Sequence, residues 1–293
     1  MKIYIIILIV LLDASCTMAQ TNMLFNKTFT NDTINILAQV VRPISDGYLV
    51  WGGYSSTNAS NVRYLMKFDE LGNFVWSRDL LVGQQWNVIE DGKFLTETND
   101  HHFVLAIGGI VNINDAKEIH LIKMDQEGNE VWHRDYSGDS TKVIQHIIQT
   151  SDDGFALAGF RYYEGGTSDT ARCLLIKTDT SGYIQWQRTY SMGNDARAFS
   201  VQQTPWDGGY ILGCWGYSAT TGYDMFVVKT DSLGDTLWTR SYGGVYWDCG
   251  AQILSLTTLE EYNTGVPITY LLSGCWYTSD NFWESNVYLA KLD

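Results

Sequence analysis

Basic residues are scarce in this chain. Its 293 residues include 19 Lys and Arg against 33 Asp and Glu, which gives a formal net charge of -14 at pH 7. Proteins that bind nucleic acid or anionic membranes rely on clustered Lys and Arg to displace counterions. The deficit therefore argues against nucleic acid and against an anionic membrane surface as partners.

Cysteine is also rare, with five residues in the chain. The four that follow Cys16 form no close metal-binding pair and no dense disulfide pattern. We interpret them mainly as small buried residues of strands, with one disulfide as the alternative. These four residues are Cys173, Cys214, Cys249 and Cys275.

Long apolar runs are missing after the N-terminus. A membrane-spanning helix needs roughly 18 to 20 apolar residues, and no later stretch approaches that length. The run at residues 3–12 is shorter and follows Lys2, which is typical of a secretory signal peptide. Small residues at Thr17 and Ala19 place the cleavage site before Gln20. We therefore expect a signal peptide at residues 1–19.

The signal peptide predicts a secreted or extracellular protein, with a periplasmic or outer-membrane-associated location as the alternative. A lipoprotein signal modified at Cys16 is a poorer match. Asp13 stands three residues before this cysteine, where such signals carry a Leu-like residue. The mature protein is then a single domain at residues 20–293.

Catalytic and cofactor-binding motifs are absent as well. The sequence has no Gly-x-Ser-x-Gly elbow, His-Glu-x-x-His helix, Walker loop, dinucleotide-binding fingerprint or Cys-x-x-Cys pair. Of its five histidines, two fall in a predicted turn and three in predicted strands, where we expect ordinary packing or solvent-facing roles. The sequence therefore predicts no catalytic residue, no metal and no cofactor. The histidines are His101, His102, His120, His133 and His146.

What the chain does contain is a repeat. Four segments share the pattern Lys-x-Asp-x-x-Gly-x-x-x-Trp, followed by Arg two residues after the Trp, and a fifth Lys-x-Asp ends the chain. They recur at intervals of roughly 50 to 60 residues, which suits a unit of four strands. The segments are Lys67–Trp76, Lys123–Trp132, Lys177–Trp186 and Lys229–Trp238, and the fifth lysine is Lys291.

Each repeat predicts two hairpins. The first begins at an Asp-Gly turn such as Asp207-Gly208, and the second turns at the repeated Asp and Gly. We expect the Asp to cap this turn, the Gly to supply the positive φ, and the Trp to fill space between units. The positions are Asp69, Asp125, Asp179, Asp231, Gly72, Gly128, Gly182, Gly234, Trp76, Trp132, Trp186 and Trp238.

This pattern predicts an all-β protein, a β-propeller of four-stranded antiparallel blades. The repeats cover about 30–80, 81–137, 138–191, 192–243 and 244–293. The last repeat stops before its fourth strand, whereas residues 22–29 resemble the missing Trp-x-Arg strand. We therefore expect five blades, with the N-terminal strand closing the last one. A fragment of a longer propeller is the alternative.

The repeat resembles those of secreted bacterial β-propeller proteins common in Bacteroidota. The resemblance covers roughly residues 25–293 and is carried by Asp-x-x-Gly-x-x-x-Trp, by Tyr242-Gly243-Gly244 and by the upstream Asp207–Leu212. Members often carry a sorting domain for type IX secretion, which these 293 residues lack, so the resemblance does not imply that route. The motif is distantly similar to quinoprotein propeller repeats and to the Asp-box of sialidases. In both of these relatives it is structural, and therefore implies no dehydrogenase or sialidase activity.

Polar and aromatic residues follow each outgoing strand, where the chain crosses to the next blade. In a propeller these crossings gather at one mouth of the channel, where carboxylates and amides bind sugar hydroxyls and aromatic rings stack on pyranose faces. Turn caps and covered blade edges are the structural alternative. The residues are Asp32, Trp86, Asn87, Ser140, Asp195, Tyr246, Trp247 and Asp248.

From these features the sequence predicts a secreted, non-catalytic binding or scaffold protein. Polysaccharide or a surface protein is the expected partner, and the sequence indicates no oligomeric state. Two alternatives remain. One is a five-bladed glycoside hydrolase, which would need two carboxyl groups about 5 to 9 Å apart and a raised pKa on one of them. The other is an adhesive or structural surface protein.

Overall fold

The computed structural model describes residues 35–56, 59–80, 94–108, 119–138, 140–162, 171–193, 195–218, 221–244, 248–277 and 285–292. Most of these residues lie in strands. The strands form five antiparallel sheets, one for each sequence repeat. This confirms the prediction of an all-β, five-bladed β-propeller.

The strands follow one another in chain order within every sheet. The first sheet contains β1 (Asn35–Ile44), β2 (Gly47–Ser56), β3 (Ala59–Asp69) and β4 (Phe74–Leu80). The second contains β5 (Leu95–Glu97), β6 (Phe103–Gly108), β7 (Ile119–Met124) and β8 (Glu130–Tyr136). The third contains β9 (Lys142–Gln149), β10 (Phe155–Tyr162), β11 (Ala171–Thr178) and β12 (Ile184–Tyr190).

The fourth sheet contains β13 (Ala196–Gln203), β14 (Tyr210–Ser218), β15 (Gly222–Thr230) and β16 (Thr236–Tyr242). The fifth has three strands among the described residues, β17 (Asp248–Ser255), β18 (Tyr270–Tyr277) and β19 (Ser285–Leu292). The predicted closing strand, residues 22–29, lies outside the described residues. Closure of the last blade by the N-terminus therefore stays a prediction.

The chain divides into two compact units. One contains the first sheet together with Gln126–Asn129, and the other contains the four remaining sheets. In the first, the core lies around the fully buried Trp51, Leu49 and Leu65. The expected single domain at residues 20–293 stays a prediction.

In the larger unit the four sheets pack face to face in chain order. Leu121 of the second sheet and Leu157 of the third belong to one buried cluster. Cys173 of the third sheet and Phe226 of the fourth share the next. A further cluster joins the fourth and fifth sheets. Because each sheet buries both faces against its neighbours, the repeated apolar alternation becomes one continuous core.

The repeated Asp closes the second hairpin of its unit. One carboxylate oxygen of Asp179 accepts from the backbone N–H of Ser181 at 2.9 Å and of Tyr183 at 2.8 Å. Asp231 makes the same pair of contacts in the fourth repeat, and Asp69 does so in the first. Asp125 occupies the equivalent turn after β7.

The repeated Gly and Trp meet between successive repeats. Gly182 and Gly234 have a φ of 80°, and Gly72 and Gly128 have similar positive values. A Cβ on Gly234 would lie 2.7 Å from the Trp186 ring, so a side chain here would also push the ring away. Trp132 covers Gly182 in the same way, and Trp238 packs on the cluster between the fourth and fifth sheets.

Within the first unit, Trp76 donates from Nε1 to the carbonyl of Gln126 at 2.8 Å. Its ring lies against Gly128. The Arg two residues after each Trp stacks on that ring, with the guanidinium carbon of Arg78 5.5 Å from the ring centroid. The Trp-x-Arg pattern therefore supplies both a flat aromatic ring and a cation that stacks on it.

The repeated Lys is largely buried and forms an ion pair with a partly exposed Asp, which ties the two turns of each repeat together. Lys229 contacts Asp207 at 2.7 Å, and the other repeats pair Lys67 with Asp46, Lys123 with Asp100 and Lys177 with Asp152. Partial burial alone would raise the pKa of Asp207, but hydrogen bonds from Lys229, Thr204 and the Gly209 backbone, together with the Lys229 charge, lower it. Sequence reasoning found the Lys but missed its partner.

The last repeat contains the short helix α1 (Leu259–Asn263), whose N-cap Thr258 and Glu261 form a capping box. In the described part of the chain, no helix is both long and apolar enough to cross a membrane.

Candidate functional site

Only part of the predicted channel-mouth set can be located. Asp32, Trp86, Asn87, Tyr246 and Trp247 lie outside the described residues. The other three are buried and stand where an innermost strand begins, before β9, before β13 and at the start of β17. These are Ser140, Asp195 and Asp248.

Asp195 is held by charge and hydrogen bonding. Its carboxylate accepts from Arg197 Nε at 3.2 Å and from Arg197 Nη2 at 3.0 Å. The hydroxyl of Tyr223 donates to it at 3.2 Å. The Asp195 side chain is only 2% exposed, so the guanidinium is the counter-ion that burial of this charge requires.

Arg197 is itself enclosed by aromatic rings. Its guanidinium carbon lies 5.0 Å from the Phe160 ring centroid, 5.3 Å from that of Trp215 and 5.8 Å from that of Tyr162. These contacts join the third and fourth sheets. Asp195 therefore serves as the anchor of a packed aromatic and ionic cluster.

Asp248 stands at the same position one repeat later, but its surroundings differ. A Cβ built on Gly243 would lie 2.7 Å from Asp248 Oδ2 and 2.1 Å from Asp224 Oδ1. The two carboxyl groups therefore converge over this glycine, and their oxygens are no farther apart than the sum of those distances. The backbone N–H of Gly244 also donates to Asp248 Oδ2 at 3.2 Å.

Asp224 is a residue that sequence reasoning missed. It is the third residue of β15 and only 5% exposed. The Thr221 hydroxyl donates to its Oδ2. Among the described residues, no hydrogen-bond donor reaches its buried Oδ1.

Burial has a direct consequence for the Asp224 carboxyl. Desolvation disfavours its charged form and raises the pKa above the ordinary value, while the Thr221 hydroxyl acts in the opposite direction. One member of the carboxyl pair is thus predisposed to hold a proton. The pair combines a carboxyl group of raised pKa with a second carboxyl group at short range, and acid–base and nucleophilic catalysis use such pairs.

The repeat gave no clear signal for Asp224. It lies five residues before the repeated Lys, where the third repeat has Arg172, the first has Val62 and the second has another acid, Glu118. An acidic residue at this position therefore does not mark out the fourth repeat. Its partner Asp248 comes from another strand of another sheet, so local sequence gives no indication of the pair.

The Ser140 position differs again. Its hydroxyl is buried, and no hydrogen-bond partner reaches it among the described residues. Lys142, two residues later, is also buried. The three described positions at the start of an innermost strand thus differ. Ser140 supplies a hydroxyl, Asp195 a carboxylate neutralised by arginine, and Asp248 a carboxyl group that faces another acid.

No protein-family model matches the chain, and no curated protein matches it in sequence. Solved structures do match. A GH43 β-xylosidase/α-arabinofuranosidase from a compost microbial metagenome is 9% identical, with 89% of this chain and 92% of that chain covered and a TM-score of 0.42.

Two further matches are similar in extent. An endo-arabinase from Bacteroides thetaiotaomicron is 9% identical, with 88% and 95% covered and a TM-score of 0.45. A GH43_1 enzyme from Xanthomonas citri, solved with xylose, is 12% identical, with 89% and 90% covered and a TM-score of 0.39.

The expectation of a non-catalytic binding or scaffold protein is contradicted, because five of the matching solved structures are glycoside hydrolases. They give no support to a surface-protein partner. The sequence interpretation was wrong because it searched for contiguous motifs. The carboxyl pair of Asp224 and Asp248 is assembled from separate strands instead.

Proposed function

We propose that this protein is a glycoside hydrolase whose chemistry depends on Asp224 and Asp248. The observation that carries the proposal is the convergence of their two buried carboxyl groups over Gly243. Glycosidases use two such groups, one as a general acid and the other as a nucleophile or base. A polysaccharide or oligosaccharide is then the substrate.

Asp224 takes the role of the acid. Its raised pKa keeps a proton available, and this proton passes to the glycosidic oxygen as the bond from that oxygen to the anomeric carbon breaks. Asp248 stabilises the positive charge that develops on the sugar. Water then supplies the hydroxyl group of the new reducing end.

The short separation favours one of the two stereochemical courses. Carboxyl groups lie about 5 to 5.5 Å apart in retaining glycosidases and about 6.5 to 9.5 Å apart in inverting enzymes, which must fit a water between them. Asp224 Oδ1 and Asp248 Oδ2 both lie within 2.7 Å of the position that a Cβ on Gly243 would occupy. Their separation therefore belongs to the shorter of the two classes. We therefore propose that Asp248 attacks the anomeric carbon as the glycosidic bond breaks. Water then displaces Asp248 from that carbon while giving one proton back to the Asp224 carboxylate, with net retention of configuration.

The test is a hydrolysis screen on the purified protein. Arabinan, xylan, xylo-oligosaccharides and aryl glycosides are incubated with the wild type, Asp224→Asn and Asp235→Asn, and reducing ends are measured. Asp235 is a matched control, because it is an exposed acid in the same sheet. We expect release by the wild type and the control, and a loss of at least about 100-fold in Asp224→Asn.

Two results would overturn the proposal. One is a folded wild-type protein that releases no reducing ends from any substrate in the screen. The other is an Asp224→Asn variant that is as active as the Asp235→Asn control. The anomeric configuration of the first product, followed by proton NMR, tests retention separately.

We also propose that the protein is exported, as a secreted or extracellular enzyme of the Bacteroidota propeller type. The charged and apolar N-terminus supports cleavage before Gln20. Intact mass and N-terminal sequencing of protein recovered from a bacterial host test this. A mature chain beginning at Gln20 outside the cytoplasm is expected. An uncleaved Met1 form retained in the cytoplasm would contradict export, and a lipidated Cys16 would place the protein at a membrane surface.

A further inference from the structure

Three metal-binding side chains converge in the second sheet. His120 Nδ1 lies 2.6 Å from Asp135 Oδ1 and 3.2 Å from His133 Nε2. His133 Nε2 lies 2.8 Å from the same carboxylate oxygen. Within the described part of the chain, this is the one set of three His, Cys, Asp or Glu residues whose donor atoms come this close together.

Strand register brings the three residues to one face of the sheet. His120 on β7 pairs directly with Asp135 on β8. His133 lies two residues before Asp135 on β8 and pairs with Ile122 on β7. Side chains alternate between the faces of a strand, so His133 and Asp135 point the same way. The backbone pairing of β8 with β7 thus fixes their placement.

The spacing suits a bound ion. Zinc binds imidazole nitrogen at about 2.0–2.1 Å and carboxylate oxygen at about 2.0–2.2 Å, so donors sharing one ion lie roughly 3 Å apart. The three distances here, from 2.6 to 3.2 Å, fall around that value. Each residue also offers a donor type that zinc accepts.

The site has both an anchored and an open side. The side chain of His120 is 12% exposed, whereas that of Asp135 is 53% exposed. Three protein ligands with an open fourth position, filled by water, is a recurrent arrangement of zinc. Glu130 Oε2 lies 4.0 Å from the other ring nitrogen, His133 Nδ1, and adds negative charge beside the site.

We propose that His120, His133 and Asp135 form a binding site for a divalent transition metal, with Zn²⁺ as its first occupant. Two imidazoles and one carboxylate suit zinc, copper and nickel better than calcium or magnesium, which prefer all-oxygen sites. The ion ties the outermost strand β8 to β7. This proposal is independent of the carboxyl pair in the fourth and fifth sheets.

The test is isothermal titration of the metal-stripped full protein, prepared without a histidine tag, with ZnCl₂ as the probe. Wild type is compared with His133→Gln and Asp135→Asn. The matched control is His101→Asn, because His101 is an exposed turn histidine with a φ of 59° that Asn tolerates. We expect one Zn²⁺ per wild-type or control chain and at least tenfold weaker binding in the two site variants.

A second readout guards against misfolded variants. Metal-free circular dichroism and thermal unfolding establish that each variant is folded, and Co²⁺ substitution reports the coordination through its visible absorption. We expect Zn²⁺ to raise the Tm of the wild type and the control only. Equal Zn²⁺ affinity in folded His133→Gln and wild type would overturn the proposal, as would the absence of stoichiometric binding in the wild type.

Discussion

Asp195 and Asp248 occupy the same place in successive repeats, yet they meet opposite neighbours. Asp195 is bound by Arg197 and by the Tyr223 hydroxyl. The residue two positions after Asp248 is Gly250, so no arginine follows it at that spacing. Asp248 converges instead with the carboxyl of Asp224.

At the start of the innermost strand, one neighbouring residue thus decides whether the buried aspartate is a structural anchor or a candidate catalytic group. A guanidinium gives a buried carboxylate its counter-charge and a fixed orientation, which makes a structural anchor. A second carboxyl group at short range favours a shared proton instead, which is the condition for acid catalysis. The repeat scaffold is the same in both cases.

The largest expected effect comes from removing the carboxyl pair. Asp224→Asn and Asp248→Asn should each lower kcat/KM by about 10³-fold, because proton transfer or nucleophilic attack is lost. The double variant should be little worse than either single variant, since the two groups act as a unit. Steady-state kinetics on the best substrate measures this. Independent losses that multiply would argue against a shared site.

The next largest effect concerns the buried ion pair of Arg197 and Asp195. Arg197→Met should lower the free energy of unfolding by about 3 kcal/mol, because it leaves the Asp195 charge buried and unpaired. Urea unfolding at pH 7 measures the change. Adding Asp195→Leu should recover part of the loss.

The matched control for the anchor is Arg188→Met, which breaks an exposed pair with Asp235. Its cost should stay below about 1 kcal/mol. Equal costs for the buried and the exposed pair would show that Asp195 needs no counter-ion.

A smaller effect distinguishes Asp224 from Asp207 by how the contribution of each to stability changes with pH. Burial raises the pKa of Asp224, so the charge that it acquires as pH rises weakens folding. Asp224→Asn should therefore gain stability relative to wild type as pH rises above about 4. Asp207, whose pKa is lowered by Lys229 despite partial burial, loses its contribution as pH falls.

Asp207→Asn should accordingly be less stable than wild type at pH 7, by no more than about 1 kcal/mol because solvent screens the pair, and the difference should shrink as pH falls below about 4. Urea unfolding at three pH values measures both variants. Curves that move in the same direction with pH would contradict the distinction.

The smallest expected effect is a contact that the repeats share. The hydroxyl of Tyr190 donates to the Gly234 carbonyl at 2.7 Å, and Tyr136 makes the equivalent bond to Gly182. Tyr190→Phe and Tyr136→Phe should each cost about 1 kcal/mol. Thermal unfolding measures both. Clearly unequal costs would mean that the framework differs between repeats, and not only the starts of the innermost strands.

Much of the fold could be predicted because the repeat fixes hairpin positions directly. The Lys-x-Asp-x-x-Gly turn and the Trp-x-Arg strand mark the second hairpin of four repeats. The Lys229–Asp207 ion pair was missed, since it joins two turns that lie far apart in sequence. The predicted closing strand falls outside the described residues.

The candidate sites were harder to predict for two different reasons. The Asp224 and Asp248 pair depends on how two sheets pack, which no local pattern specifies. The His120 and Asp135 pairing, in contrast, follows from extending the hairpin register at Lys123 and Trp132 outward by three residues. Sequence reasoning assigned the histidines to strands but did not count the register across them.

The most direct test of the account is the hydrolysis rate per folded molecule of Asp248→Asn and Asp195→Asn, measured side by side with the wild type. The account predicts a loss of about 10³-fold for Asp248→Asn. For Asp195→Asn it predicts a rate within about threefold of wild type, because that residue acts through stability alone. Equal losses in both variants, or no loss in Asp248→Asn, would contradict it.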